Sequence, residues 1–455
     1  MNPPMSICEL PEIVGLDHRR GMIRIPPEVD VPLTGRVRRL IDTAAFHRLA
    51  SISQLGLVGL VYPAANHTRF EHSLGVYRMA LLYLKQLARD ERFAAVVSQA
   101  DAELFIAAAL LHDVGHWPFC HPMEDMHLPA LPRHETLAAS FVLGEEISRV
   151  LCREWGLEPA RVLELLAGRP EGPAGRILCS MLSGPIDVDK MDYLPRDSLH
   201  AGVPYGRNFD QGRLIGSLCL NEAGDGLAIS EKGKTAAEMM VFARYVMFSE
   251  VYWHHAVRAA TAMLQRAIYM LLPRLDLDRL CREEEGPFVA QLAGAAAGSG
   301  ASVLLEGLFG AQRRLYKRVA QFNLFEDGEM YRLLARRPYP WLAACAERFA
   351  ALASRALHIP LEPHEVLFDA PPVEREVEFK VDVYFAKEGR YRPLGEVSPV
   401  VRTLAREQFD DYVKRVRVFA HPRVAAALRA LPQRRELLAE AAAWTGSGSQ
   451  ASAPP

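Results

Sequence analysis

The chain has 455 residues, of which 50% are hydrophobic and 24% charged, and its formal net charge is -2 at pH 7. That is ordinary globular composition, with enough apolar residues for a substantial core, and it excludes a disordered chain. Near-neutral charge also excludes a global attraction to nucleic acid or to an acidic membrane, so any phosphate must be met by local clusters of Arg, Lys and His.

The seven cysteines are scattered, with no CxxC pair. They argue against a disulfide framework or a cysteine zinc site and fit a cytoplasmic location. Met1 to Leu10 shows no signal-peptide pattern, and no apolar stretch has the length that a bilayer span needs.

In chain order, the alternation Met22-Ile23-Arg24-Ile25 before Pro26-Pro27 predicts a short strand or extended arm. Val37 to Leu55 has helical spacing, with Gly56 as its C-cap. Thr68 caps a helix running to about Ala88, on which His72, Val76, Met79 and Tyr83 share one face. A histidine on an apolar face is more often core than ligand. Here Arg69 lies one turn before it and Gly75 leaves room beside it, which suits a phosphate-bearing substrate.

The apolar run Phe105 to Leu111 ends in His112-Asp113. It reads as a buried helix delivering two ligand-type side chains to an internal site. Burying an imidazole and a carboxylate is costly without compensation, and a divalent cation would compensate both. The bland alternative is a satisfied His-Asp hydrogen bond. His116 is expected on the same helix face as His112, with Pro118 ending the helix and His121 on the following turn, ahead of Glu124. His134-Glu135 opens a helix running through Val150, either as an ordinary acid-bearing N-terminus or as part of a site.

Between Ser183 and Asp197 stand Asp187, Asp189, Asp192 and Asp197, interleaved with Ile186, Val188, Met191 and Leu194. Some of these acids must point inward, and an inward acid needs a metal, Lys190 or Arg196. Asp189 and Tyr193 are one helical turn apart, and Asp197 is one turn further. Thr235 to Leu272 reads as one long helix carrying Arg244 and His254. Residues 294–302 read as a flexible connection and 304–357 as helical. Alternation over 377–385 predicts a strand, followed by a turn at Lys387-Glu388-Gly389, and 399–419 forms a helix or another strand. The expected division is therefore a catalytic domain over 1–290, a helical plus small α+β region over 303–442, and a disordered tail over 443–455.

Taken together, His72, His112, Asp113 and Asp189 make a mixed nitrogen and oxygen ligand set suited to Mn, Fe, Zn or Mg. A metal there polarises a phosphoryl group and lowers the pKa of water. With the surrounding Arg, Lys and His residues, phosphoester hydrolysis is the reaction class that the chemistry suggests.

The wording of these stretches is more specific still. Gln54-Leu55-Gly56, His67-Thr68-Arg69-Phe70-Glu71-His72-Ser73-Leu74-Gly75-Val76, His112-Asp113-Val114-Gly115-His116-Trp117-Pro118-Phe119-Cys120-His121, His134-Glu135 and Ile186-Asp187-Val188-Asp189-Lys190-Met191-Asp192-Tyr193 resemble the HD-domain metal-dependent phosphohydrolases, in the branch of the deoxynucleoside triphosphate triphosphohydrolases. The resemblance covers residues 17 to 260 well and the region beyond 290 loosely. It implies a mainly α fold, an HD-domain helical core with a small C-terminal α+β region, and His72, His112, Asp113 and Asp189 as ligands of a divalent metal.

It further implies attack of water on the α-phosphorus of a dNTP, releasing deoxynucleoside and triphosphate. His121, supported by Glu124, matches the proton donor to the leaving oxygen, and His116 and His134 match phosphate-facing histidines. Arg69, Lys190, Tyr193, Asp197, Arg244 and His254 match residues that contact the substrate or order its pocket. Gln54 and Leu55 match the edge that reads the sugar. Relatives of this kind often act as dimers or tetramers, so a homo-oligomer is expected; no membrane partner is expected, and the low net charge weakens a general nucleic-acid role while leaving room for a local basic groove. Two alternatives share the motifs: a phosphatase or phosphodiesterase acting on another nucleotide, and a nucleotide-binding protein whose catalysis has lapsed.

Overall fold

The computed structural model describes the chain apart from residues 1–5, 19–20, 170, 374–379, 405–411 and 448–455. The protein is mainly helical, with three small sheets. It divides into two compact units that interleave along the chain. Unit one takes Met1–Trp117, Arg133–Met247 and Glu378–Glu407, and unit two takes Pro118–Pro132, Phe248–Val377 and Gln408–Pro455. The catalytic region expected over 1–290 thus draws on both. No described helix is long and apolar enough to cross a membrane.

In unit one, helix α1 (Arg69–Leu87) starts where Thr68 accepts a hydrogen bond from the Glu71 amide at 3.3 Å. Helix α2 (Gln99–Leu111) opens with a capping box between Ser98 and Asp101. Every residue of α2 from Leu104 to Leu111 is buried, as expected of a helix that is apolar all round. Helices α3 (His134–Val142), α4 (Val188–His200) and α5 (Lys234–Met247) complete the set used below. Asp187 caps α4 by accepting from the Lys190 amide at 2.6 Å. Helix α1 packs against both α2 and α4, which brings their ligand-type residues together.

Met22–Ile25 pairs antiparallel with Val29–Pro32, as the alternation predicts. A second sheet joins Leu218–Leu220, Leu227–Ser230, Asp382–Phe385 and Arg390–Pro393, with the turn at residues 387–389 where expected and Gly389 at a φ of +63°. The start of the alternating stretch, 377–379, lies outside the described residues. The helix expected over Val37 to Leu55 is broken. Gly35–Ile41 and Ala44–His47 are helical, Thr43 caps the second, and a tighter turn follows over Arg48–Ser51. Gly56, at a φ of +50°, opens another short turn instead of closing a helix.

Unit two holds α6 (His255–Leu271) and α7 (Tyr339–Leu357). The helix expected over Thr235 to Leu272 is in fact two. A widened turn over Phe248–Tyr252 interrupts it, and the His254 side chain caps the second piece. No Gly or Pro marks that break, and the apolar pattern runs through it. Residues 297–299 are a tight turn between the helices Glu285–Ala296 and Gly300–Phe309, with Gly298 at a φ of +73°. The stretch expected to be helical over 304–357 contains a strand, Lys317–Phe322. It and Val366–Asp369 flank Val416–Ala420, antiparallel on both sides. All five residues of Val416–Ala420 are buried, and α7 supplies Leu342, Cys345, Phe349 and Ala353 to the same core. The last helix, Arg434–Ser447, takes in the start of the expected tail. The rest of that tail lies outside the described residues.

Candidate metal centre

Three side chains of unit one, His72, His112 and Asp189, converge where α1, the end of α2 and the start of α4 meet, and Asp113 stands beside His112 without joining that group. His112 closes α2. Its Nδ1 lies 2.9 Å from the Ala109 carbonyl oxygen. A carbonyl only accepts, so Nδ1 carries the hydrogen and Nε2 presents its lone pair. His72 sits on the buried side of α1. Its Nδ1 lies 2.9 Å from the Asp192 carboxylate, so it too donates from Nδ1. The two Nε2 atoms stand 3.2 Å apart.

Asp189 Oδ1 lies 3.1 Å from His72 Nε2, and Asp113 Oδ1 lies 3.5 Å from His112 Nε2. His72, His112 and Asp189 each bring a ligand atom within 4.8 Å of the others. Around a cation about 2.1 Å from each donor, neighbouring donors stand about 3.0 Å apart in an octahedron and about 3.4 Å in a tetrahedron. The 3.2 Å between the two Nε2 atoms and the 3.1 Å from His72 to Asp189 match these edges, and the three donors fit a divalent cation.

The electrostatics agree. Burial pushes the His72 pKa down, but hydrogen bonds to Asp189 and Asp192 and the charge of Asp113 overcome this and raise it to about 10. The cluster therefore calls for positive charge, which a proton or a cation supplies. Burial pushes Asp113 up, yet His116, Arg69 and His112 hold it well below the ordinary carboxylate range. Burial likewise opposes the ionised form of Asp189, and His72 outweighs it and lowers its pKa. Asp187, two residues away, is raised to about 6 by burial.

Each inward acid has its own partner. Asp187 pairs with the Lys190 ammonium, and Asp189 with His72. Asp192 pairs with Arg196 and His72, and Asp197 with His67 at 2.9 Å. Lys190 Nζ also donates to the Gly184 carbonyl at 3.2 Å. Arg69 is buried and donates to Asp113 Oδ2 at 2.8 Å, so it braces a ligand-type carboxylate.

His116 does not project from the helix face of His112, because α2 stops at Leu111 and His116 follows on a turn. Its Nδ1 lies 3.0 Å from Asp113, and its ring stacks on His134 with centroids 4.2 Å apart. Gly115 permits that approach. A Cβ there would fall 2.1 Å from the His134 carbonyl oxygen. Tyr193 stands half-buried on α4, one turn after Asp189, and Arg244 is half-buried in the last turn of α5. Gln54 is tied to His67 through its backbone amide, with Leu55 beside it. The Gln54 Oε1 is buried with no partner among the described residues.

Other site candidates lie in unit two. His121 and Glu124 are on the short helix Cys120–Glu124, with Nδ1 3.7 Å from Oε2. His254 caps α6, where burial and then Arg417 lower its pKa.

Sequence reasoning missed the layer behind His72. Asp192, Arg196, Glu71, His200 and His67 form one connected set there. Arg196 grips Asp192 at 2.8 and 2.7 Å and reaches Glu71 at 2.7 Å. His200 meets the same Glu71 oxygen at 2.9 Å and stacks on His67. The usable signal was the one-turn spacing of Asp192 and Arg196 on the inward face of α4.

Comparison with known proteins places this geometry. The HD domain family model matches residues 69–196, and the HD associated region matches 209–434. An uncharacterized protein of Methanocaldococcus jannaschii is 29% identical over 387 residues, covering 84% of this chain and 76% of its own. The deoxynucleoside triphosphate triphosphohydrolase SAMHD1 of Gallus gallus is 29% identical over 260 residues, 50% of this chain. That match spans 42% of the avian enzyme, less than two thirds of its length. A solved structure of a hypothetical protein from Aquifex aeolicus superposes with a TM-score of 0.69 at 27% identity, covering 90% of this chain and 98% of its own.

Proposed function

The chain belongs to the HD-domain phosphohydrolase superfamily, in the branch that includes the SAMHD1 enzymes, and from that premise we propose that it hydrolyses deoxynucleoside triphosphates to deoxynucleoside and inorganic triphosphate. The observation that carries this reading is the meeting of two imidazole Nε2 atoms, 3.2 Å apart, beside Asp189. With both Nδ1 positions donating elsewhere, two lone pairs face one point, and a cation there satisfies both.

A divalent cation would be held by His72, His112 and Asp189, with Asp113 beside His112 as the fourth ligand that the resemblance implies, and would supply electrophilic assistance at a phosphoryl oxygen and a lower pKa for the attacking water. Manganese, iron, zinc and magnesium all suit the donors.

The protein's own groups supply the rest. Arg69 fixes Asp113, and the stacked His116 and His134 are assigned to the phosphate chain. Lys190, Tyr193, Asp197, Arg244 and His254 are assigned to substrate binding or to ordering the pocket. His121, with Glu124 near its Nδ1, is assigned the proton donated to the leaving oxygen. Gln54 Oε1, a buried acceptor still without a partner among the described residues, is assigned to a sugar hydroxyl, with Leu55 packing beside it. A site that hydrogen-bonds a hydroxyl discriminates strongly against an analogue lacking it. By the same premise the chain assembles as a homo-oligomer.

The test is product analysis. Metal-loaded chain is incubated with each of the four dNTPs, singly and mixed, and deoxynucleoside and triphosphate are separated by chromatography. Equal molar release of both, lost in His112→Ala, is the expected result. Intact dNTPs alongside hydrolysis of a nucleoside monophosphate or another phosphoester would overturn it.

A further inference from the structure

The layer behind His72 is costly as pure scaffolding. Asp192 and Arg196 are 3% and 6% exposed, so both charges are desolvated. Buried ion pairs often add no stability over apolar residues of similar size. Gly75 adds a second cost, since glycine inside a helix is less stable than alanine. Its place is nevertheless enforced. A Cβ on Gly75 would fall 1.9 Å from Asp192 Oδ1 and 2.4 Å from Arg196 Nη2. The ion pair occupies the space that α1 leaves open at this position. Arg196 is held in turn by Glu71, at 2.7 Å, and by the Pro26 carbonyl, at 3.1 Å.

We propose that Asp192 is the positioning residue of the cation site. It fixes the tautomer and ring plane of His72 through Nδ1, while Arg196 and Glu71 hold Asp192 and Gly75 makes room for the pair. Arg196 balances the charge of Asp192, so the carboxylate orients the ligand without adding net negative charge to the cluster. Outer hydrogen bonds of this kind set both the direction and the basicity of a ligating imidazole. The inference rests on the cation reading of the cluster and is independent of which phosphoester is the substrate.

The experiment measures Mn2+ binding to metal-free protein by isothermal titration and by the manganese resonance signal. The native chain is compared with Asp192→Asn, Gly75→Ala and Glu71→Gln. Circular dichroism checks the fold of each variant, and the visible spectrum of the Co2+-loaded forms reports the geometry of the ligands. Asp192→Asn and Gly75→Ala are expected to weaken Mn2+ binding about 10- to 100-fold and to shift the cobalt bands. Glu71→Gln, one step further out, is expected to do so less. Gly75→Ala removes no charge, so it decides the matter should Asp192→Asn fail to fold. Native affinity and an unchanged cobalt spectrum in folded Asp192→Asn or Gly75→Ala would overturn the inference. Failure of the native chain itself to bind Mn2+ would mark a different failure, that of the cation reading, and would take this inference with it.

Discussion

Each unit holds a pair of histidines with rings in contact. In unit one, His72 and His112 meet edge to face, 5.0 Å between centroids, and in unit two His254 and His255 meet at 4.4 Å. Their surroundings are opposite. Asp113, Asp189 and Asp192 raise His72 to about 10 against the effect of burial. Burial, then His254, Arg318, Arg417 and Lys317, take His255 down to about 4. His255 lines a cavity of about 610 Å³ together with Tyr316, Lys317, Arg318, Gln321 and Arg429. One side-chain type thus reports two sites of opposite polarity. The acid-rich one gathers positive charge at a point, while the base-rich one repels a proton. Neither polarity is visible in a net charge of -2.

The largest expected effect breaks the acid-rich side. Asp189→Asn or His112→Ala removes a donor where the site must hold a cation. Turnover is expected to fall by about a thousandfold, the scale of losing one preorganised electrostatic group. Steady-state kinetics on the metal-loaded protein, with a thermal melt to check folding, measures it. A loss of less than tenfold would show that the cluster is not the reacting centre.

Breaking the base-rich side should act on stability. Arg258 donates to Asp369 at 2.6 Å, lies over the Trp253 ring and is buried. Beside it, burial takes the Arg417 guanidinium down to about 10. Asp369→Asn takes from a buried cation the carboxylate it is hydrogen-bonded to and is expected to destabilise the protein by about 3–5 kcal/mol, read by urea denaturation.

The smallest effect sharpens the contrast. Arg318→Gln removes one cation facing His255, so protonation becomes easier and the pKa rises. An upward shift of roughly one unit or less is expected by NMR titration. The sign for stability follows. His255 titrates lower in the folded state than its ordinary 6.5. Between that value and about 4 the unfolded chain therefore binds the extra proton. Its contribution is lost as pH falls through that window, and Arg318→Gln should reduce the loss.

Much of unit one was legible because local signals agreed. Thr68 as a cap, the apolar face after it and the all-apolar run into His112 each have a short-range cause, and the structure bears out those elements. His116 was misplaced because spacing alone extends a helix indefinitely, whereas α2 ends at Leu111. The room beside Gly75 was foreseen. Its occupants, Asp192 and Arg196, were not, because they come from a helix more than a hundred residues later in the chain. The break at Phe248–Tyr252 and the strand Lys317–Phe322 had no local marker. The first lacks Gly and Pro. The second opens on Lys317 and Arg318 and owes its pairing to Val416–Ala420, far along the chain.

The central claim is that His72, His112 and Asp189 surround one divalent cation. Anomalous diffraction at the manganese edge, from crystals grown with Mn2+, tests it most directly. The account predicts one peak about 2.1 Å from His72 Nε2, His112 Nε2 and Asp189 Oδ1. It would be contradicted by no peak there, with His72 remaining hydrogen-bonded to Asp189 as the lone occupant of that point.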